Sequence, residues 1–79
     1  MNFEKVADKL TRTKKREKEL LKGFEEIYDK GKGAYYSSGS RPNQTPESWG
    51  KARVASVLVG GKSREIDKKI VNKYKLPKI

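Results

Sequence analysis

A chain of 79 residues holds one small domain, and with 33% hydrophobic against 38% charged residues it buries a modest core that needs bracing, a partner or an oligomer. It contains no cysteine and no histidine, which excludes a disulfide framework, thiolate and imidazole zinc sites, a thiol nucleophile and the common neutral-pH general base. That inventory argues against an enzyme or a bound cofactor, and the net charge of +10 points instead to a polyanionic partner.

No apolar run near Met1 is long enough for a signal peptide or a membrane span, so an intracellular protein is expected. Residues 1–30 hold nine Lys/Arg against seven Asp/Glu, whereas residues 31–79 hold eleven against three. The first segment reads as a mixed-sign helix surface and the second as a field that attracts anions.

From Asn2 to Asp29 there is no proline and only Gly23, so one long helix or two consecutive ones can form. Asn2 is a fair N-cap. Phe3, Val6, Leu10, Leu20, Phe24 and Ile27 follow spacings of three and four, with Thr13 and Glu17 interrupting the stripe. The expected core helix is Glu17 to Asp29, and residues 1–16 form an extension that frays, serves a homodimer or packs back on the same chain. Residues 17–79 make up the basic domain.

Gly31, Gly33 and Gly39, with Ser37, Ser38, Ser40, Pro42 and Asn43, predict an irregular loop over 31–44. Ala34, Tyr35 and Tyr36 supply enough apolar surface for it to lie ordered on the core. Thr45-Pro46-Glu47 predicts a helix start, since the hydroxyl accepts a first-turn amide, proline suits the first position and glutamate favours the positive end of the dipole. That helix runs to Val59, and Gly60-Gly61 ends it. Ser63 can cap a third helix, Arg64 to about Lys73, with Ile66, Ile70, Val71 and Tyr74 as its apolar face and Pro77 beyond it.

The cations Lys51, Arg53, Lys62, Arg64, Lys68, Lys69 and Lys73 fall on two neighbouring helices and the turn between them, with Lys75 and Lys78 following. Such a cluster suits phosphates, because each neutralised phosphate releases condensed counterions. Solubility alone is the competing explanation. Tyr35, Tyr36 and Arg41 offer flat faces for unstacked bases, while Trp49, one turn into a helix, is expected in the core. Arg41 and Arg53 can equally brace backbone carbonyls. Gly60-Gly61-Lys62-Ser63 resembles the end of a phosphate loop but lacks the first glycine and the preceding strand. Glu47, Glu65 and Asp67 are too scattered for an acid/base pair or a metal cage.

The run from Lys32 to Ser56, densest from Gly39 to Val54, resembles a small uncharacterised domain of large eukaryotic DNA viruses and tailed phages. Its pattern is Gly-Ala-aromatic, a Gly-x-Arg-Pro-Gly turn, then a tryptophan followed by Ala-Arg-Val. Ser40 stands where histidine is frequent and Asn43 where glycine is frequent. The resemblance implies a viral protein, intracellular in the infected host or packaged in the virion.

The expectation is therefore an all-α fold with a long N-terminal helix, an ordered loop and two short C-terminal helices around Leu20, Phe24, Ile27, Trp49, Leu58, Ile66 and Ile70. The expected activity is nucleic-acid binding of low sequence specificity, DNA ahead of RNA, single strands included. The alternative is a minor virion component that joins larger proteins. A membrane-surface role drawing on Lys14, Lys15 and Arg16 is opposed by Glu17, Glu19, Glu25 and Glu26.

Overall fold

A computed structural model describes residues 2–37 and 44–79, and among them all regular structure is helical. The elements are α1 (Phe3–Leu10), α2 (Lys14–Ser37), α3 (Pro46–Leu58), α4 (Lys62–Ile66) and α5 (Lys68–Tyr74). The long helix α2 is the spine, with α1, α3 and α5 packed on it and α4 packed on α3.

Asn2 caps α1 through its side chain, which accepts from the Lys5 amide at 3.2 Å. The break in the apolar stripe is also a break in the helix. Thr11 closes α1 by donating its amide to the Ala7 carbonyl. Thr13 then opens α2, its hydroxyl accepting from the Arg16 amide at 3.3 Å. This turn lets α1 fold back: Ala7 is buried, and the Phe3 ring lies 5.8 Å from Phe24 and edge-on to Tyr28 at 5.7 Å. Phe3, Val6 and Leu10 thus pack on the chain's own core.

Gly31 to Ser37, expected to begin the loop, instead form the last two turns of α2. Gly31 is buried where α3 crosses, and a Cβ built on it would lie 2.7 Å from the Gly50 Cα. Its glycine serves helix approach rather than a turn. The middle of the expected loop, including Gly39, Ser40, Arg41, Pro42 and Asn43, lies outside the described residues.

The start of α3 is as the sequence predicts, with a reciprocal cap: the Thr45 hydroxyl accepts from the Ser48 amide at 3.0 Å and the Ser48 hydroxyl from the Thr45 amide at 3.1 Å. Its end is also as predicted. Gly60 takes φ +78°, and the Gly60 and Gly61 amides donate back to the Val57 and Ser56 carbonyls.

The third helix differs from expectation. It begins at Lys62 with Gly61 as cap and is interrupted at Asp67, giving two short helices. The Ser63 amide finds the Ser56 hydroxyl at 3.4 Å instead of leaving Ser63 as the cap. Because the interruption breaks the three-four spacing, Ile66 turns outward and is 68% exposed, while Ile70 and Val71 are buried. Leu20, Phe24, Ile27 and Leu58 are buried as expected, Trp49 is half-buried, and Ala7, Val54, Val57 and Leu76 complete the core.

The C-terminal tail is held by two arginines. Arg16 donates to the Tyr74 carbonyl at 2.6 Å and to the Lys75 carbonyl, and Arg64 donates to Leu76 at 2.8 Å and Pro77 at 3.2 Å. The Ile79 amide reaches the Leu58 carbonyl at 2.7 Å. Leu76 is thereby pressed against Gly23 of α2. Among the described residues no helix is long and apolar enough to cross a membrane.

Candidate nucleic-acid interface

The left-handed turn at Gly60 exists because α3 must stop and α4 must start almost at once, and a side chain there would collide with the Lys78 chain that crosses it. Arg64, one turn into α4, reaches back and donates to the Val57 carbonyl at 2.9 Å as well as to the tail. Around Gly60 and Gly61 this leaves a concavity of about 340 Å³ bordered by Arg64, Lys68 and Lys78, with Glu65 as its acid. The partners of Arg64 are neutral carbonyls, so its charge is uncompensated. Lys68 and Lys78 form no ion pair among the described residues. Three cations against one carboxylate make a pocket suited to a dianionic or bridging phosphate.

The remaining site residues divide by location. Arg53 is turned inward, its Nε donating to Asp67 Oδ2 at 2.7 Å and its Nη2 to Oδ1 at 2.8 Å. Asp67 is buried, and the hydrogen bonds it accepts raise the Arg53 pKa against the opposing effect of burial. Arg53 therefore braces α3 against the α4–α5 junction, through a carboxylate rather than the expected carbonyls. Lys69 and Lys73 border a different groove, shared with Glu26, Asp29 and Lys30. Lys51 and Lys62 are exposed.

Tyr35 donates its hydroxyl to the Gln44 carbonyl at 3.0 Å, and Tyr36, edge-on to it at 5.6 Å, is 70% exposed. Both stand beside the start of α3, whereas the concavity lies past its end, roughly 18 Å away for thirteen helical residues. The tyrosines and the cationic concavity are thus separate features. Arg41 lies outside the described residues, and Trp49 lines an apolar groove of about 300 Å³ with Ala34, Ala52 and Ile66.

Lys73 is engaged by Glu26 at 3.3 Å, and the Tyr74 hydroxyl donates to the same carboxylate at 2.9 Å. The tyrosine bond first, then Lys73, holds Glu26 below its ordinary value of 4.5. A carboxylate depressed in the fold adds stability that is complete above 4.5 and is lost as the pH falls through the lower folded value. Glu26→Gln should therefore narrow the difference in urea midpoint between pH 7 and pH 3. The expected narrowing corresponds to less than about 1 kcal/mol, as this pair is solvent-exposed. An unchanged difference would mean that the contact contributes nothing.

Sequence reasoning passed over Lys78 as a site residue because nothing local ties it to Gly60, eighteen residues earlier; the tail makes the connection. It also passed over Asp67 as a buried acid, although Asp67 is the last carboxylate in the chain's side chains and sits between two isoleucine turns. Among the described residues no group of carboxylates could hold a metal ion.

A family model described as a family of unknown function, DUF5824, matches residues 1–74, and the chain belongs to that family. No curated protein and no solved structure matches it.

Proposed function

We propose that this DUF5824 family member binds nucleic acid with little sequence specificity, DNA ahead of RNA, by seating backbone phosphate in the concavity of Arg64, Lys68 and Lys78. The observation that carries the reading is the convergence of those three cations around Gly60 with one carboxylate beside them. Lys51 and Lys62, both exposed, extend the contact along the flanking helices. Arg53 is assigned to bracing the fold, and Tyr36 to an accessory stacking surface at the other end of α3. Contacts of this kind position a backbone without reading bases. The resemblance to a domain of large DNA viruses and tailed phages makes a viral genome the natural target.

Duplex and single-stranded oligonucleotides titrated across a salt series test this. For duplex DNA the log-log slope is expected near −4.5 or steeper, corresponding to roughly five phosphate contacts. A flat salt response would remove the reading.

A second reading, a minor virion component joining larger proteins, draws on the exposed apolar side chains Tyr36, Val59, Ile66 and Ile79. Binding to a protein partner that survives high salt would favour it over the first.

A further inference from the structure

We infer that the chain carries a second, separate phosphate-contacting surface on α2, so that one molecule bridges two nucleic-acid segments; this rests on the nucleic-acid reading above. Lys14, Lys18 and Lys22 occupy successive turns of one face of α2, with Lys15 beside them, and all four are exposed. They border a shallow depression of about 430 Å³ together with Glu19. The Glu19 carboxylate is already taken by Arg16 at 3.1 Å, and none of the four lysines has an ion-pair partner among the described residues. Acids do border the ridge on its α1 side, where Glu4, Asp8 and Glu17 flank Lys14 and Lys18. Lys15 and Lys22 lie away from that flank.

The spacing suits a polynucleotide. Lysines four residues apart rise about 6 Å along the helix, a spacing on the order of that between consecutive phosphates along one strand. A lysine row of this kind can follow a strand without bending it. Mixed-sign counting over residues 1–30 hides the row, because the acids that offset it in the sum include Glu25 and Asp29, which follow it along α2 beyond Lys22.

The tail keeps the two surfaces apart. Arg16, at the root of the lysine row, grips the Tyr74 and Lys75 carbonyls from the α2 side, while Arg64, at the edge of the concavity, grips Leu76 and Pro77 from the α4 side. The concavity and the depression on α2 share no lining residue, so a nucleic-acid segment seated on one leaves the cations of the other for a second segment.

The test mixes two non-complementary duplexes, one carrying a donor dye and the other an acceptor, with protein at low salt. Energy transfer reports bridging and anisotropy of the donor duplex reports binding. Wild-type protein is expected to produce transfer. Lys14→Gln/Lys18→Gln/Lys22→Gln, whose helical content is checked by circular dichroism, should still bind the donor duplex but lose at least fivefold of the transfer. Wild-type binding without transfer overturns the second surface and leaves the proposed function standing. Undiminished transfer by the triple variant overturns it as well, because bridging would then arise from self-association or another face. Absence of any duplex binding by the wild type removes both readings together.

Discussion

Arg53→Met is expected to destabilise the protein by about 3–5 kcal/mol, because it strands a buried carboxylate. The Asp67 side chain is 1% exposed, and the two guanidinium bonds at 2.7 and 2.8 Å are what its oxygens receive. For a domain of 79 residues total stability is on the order of 4–12 kcal/mol, so the loss is a large part of the whole. Asp67→Ala should cost less, since the Arg53 side chain retains 16% exposure and can turn its charge toward water. The α4–α5 junction survives that change, as the Ile70 and Val71 amides donate to the Asp67 backbone carbonyl. Pairing Arg53→Met with Asp67→Ala should recover much of the loss, giving a coupling energy that separates the ion pair from the packing around it. Urea unfolding followed by circular dichroism measures all four proteins. A cost below about 1 kcal/mol for Arg53→Met would show that the pair does not brace the fold.

Gly50→Ala should reverse the ordinary helix rule. In an unconstrained helix interior, alanine in place of glycine gains up to about 1 kcal/mol. At Gly50 a Cβ would lie 2.8 Å from the Tyr28 carbonyl oxygen, a backbone atom of α2 that cannot move without displacing the helix. A net loss of about 1–3 kcal/mol is expected from forcing α2 and α3 apart. In a domain of this size each kcal/mol lowers Tm by roughly 4–8 °C. Gly33→Ala is the internal control. It lies on α2 near Gly31, a Cβ there meets nothing within 4 Å, and it should be neutral or stabilising. Thermal unfolding of the two variants should move in opposite directions; parallel shifts would contradict the packing described for this crossing.

These two sites also show what was legible in the sequence. Thr45-Pro46 and Gly60-Gly61 are local signals, each satisfied within a turn of chain, and the ends of α3 fall where they predict. Gly31 is different. A glycine signals either a turn or a close approach, and choosing between them requires knowing that Gly50 lies opposite, which is a tertiary fact. Ile66 was assigned to the core by its four-residue spacing from Ile70, a spacing that holds only while the helix is continuous through Asp67. Leu76 and Lys78 follow the last helix, where periodicity says nothing; Arg16 and Arg64 place them.

The candidate site was legible as composition and not as geometry. Lys68 and Arg64 were identified and do lie together, because α4 and α5 are short and adjacent. Arg53, Lys69 and Lys73 belong to the same stretch of sequence yet face a buried acid or another groove, since helix rotation and not chain proximity decides the direction of a charge. The lysine row of α2 carried a readable signal, the repeat of four from Lys14 to Lys22, that a segment-wise charge balance averages away.

The proposal that the Gly60 concavity seats phosphate is tested most directly by titrating duplex DNA across a salt series with wild-type protein and with Lys68→Gln/Lys78→Gln. Both side chains are exposed, so the fold is retained. The double substitution should weaken binding uniformly across duplex sequences and reduce the magnitude of the salt slope by about two. Equal affinity and equal slope for the two proteins would contradict it.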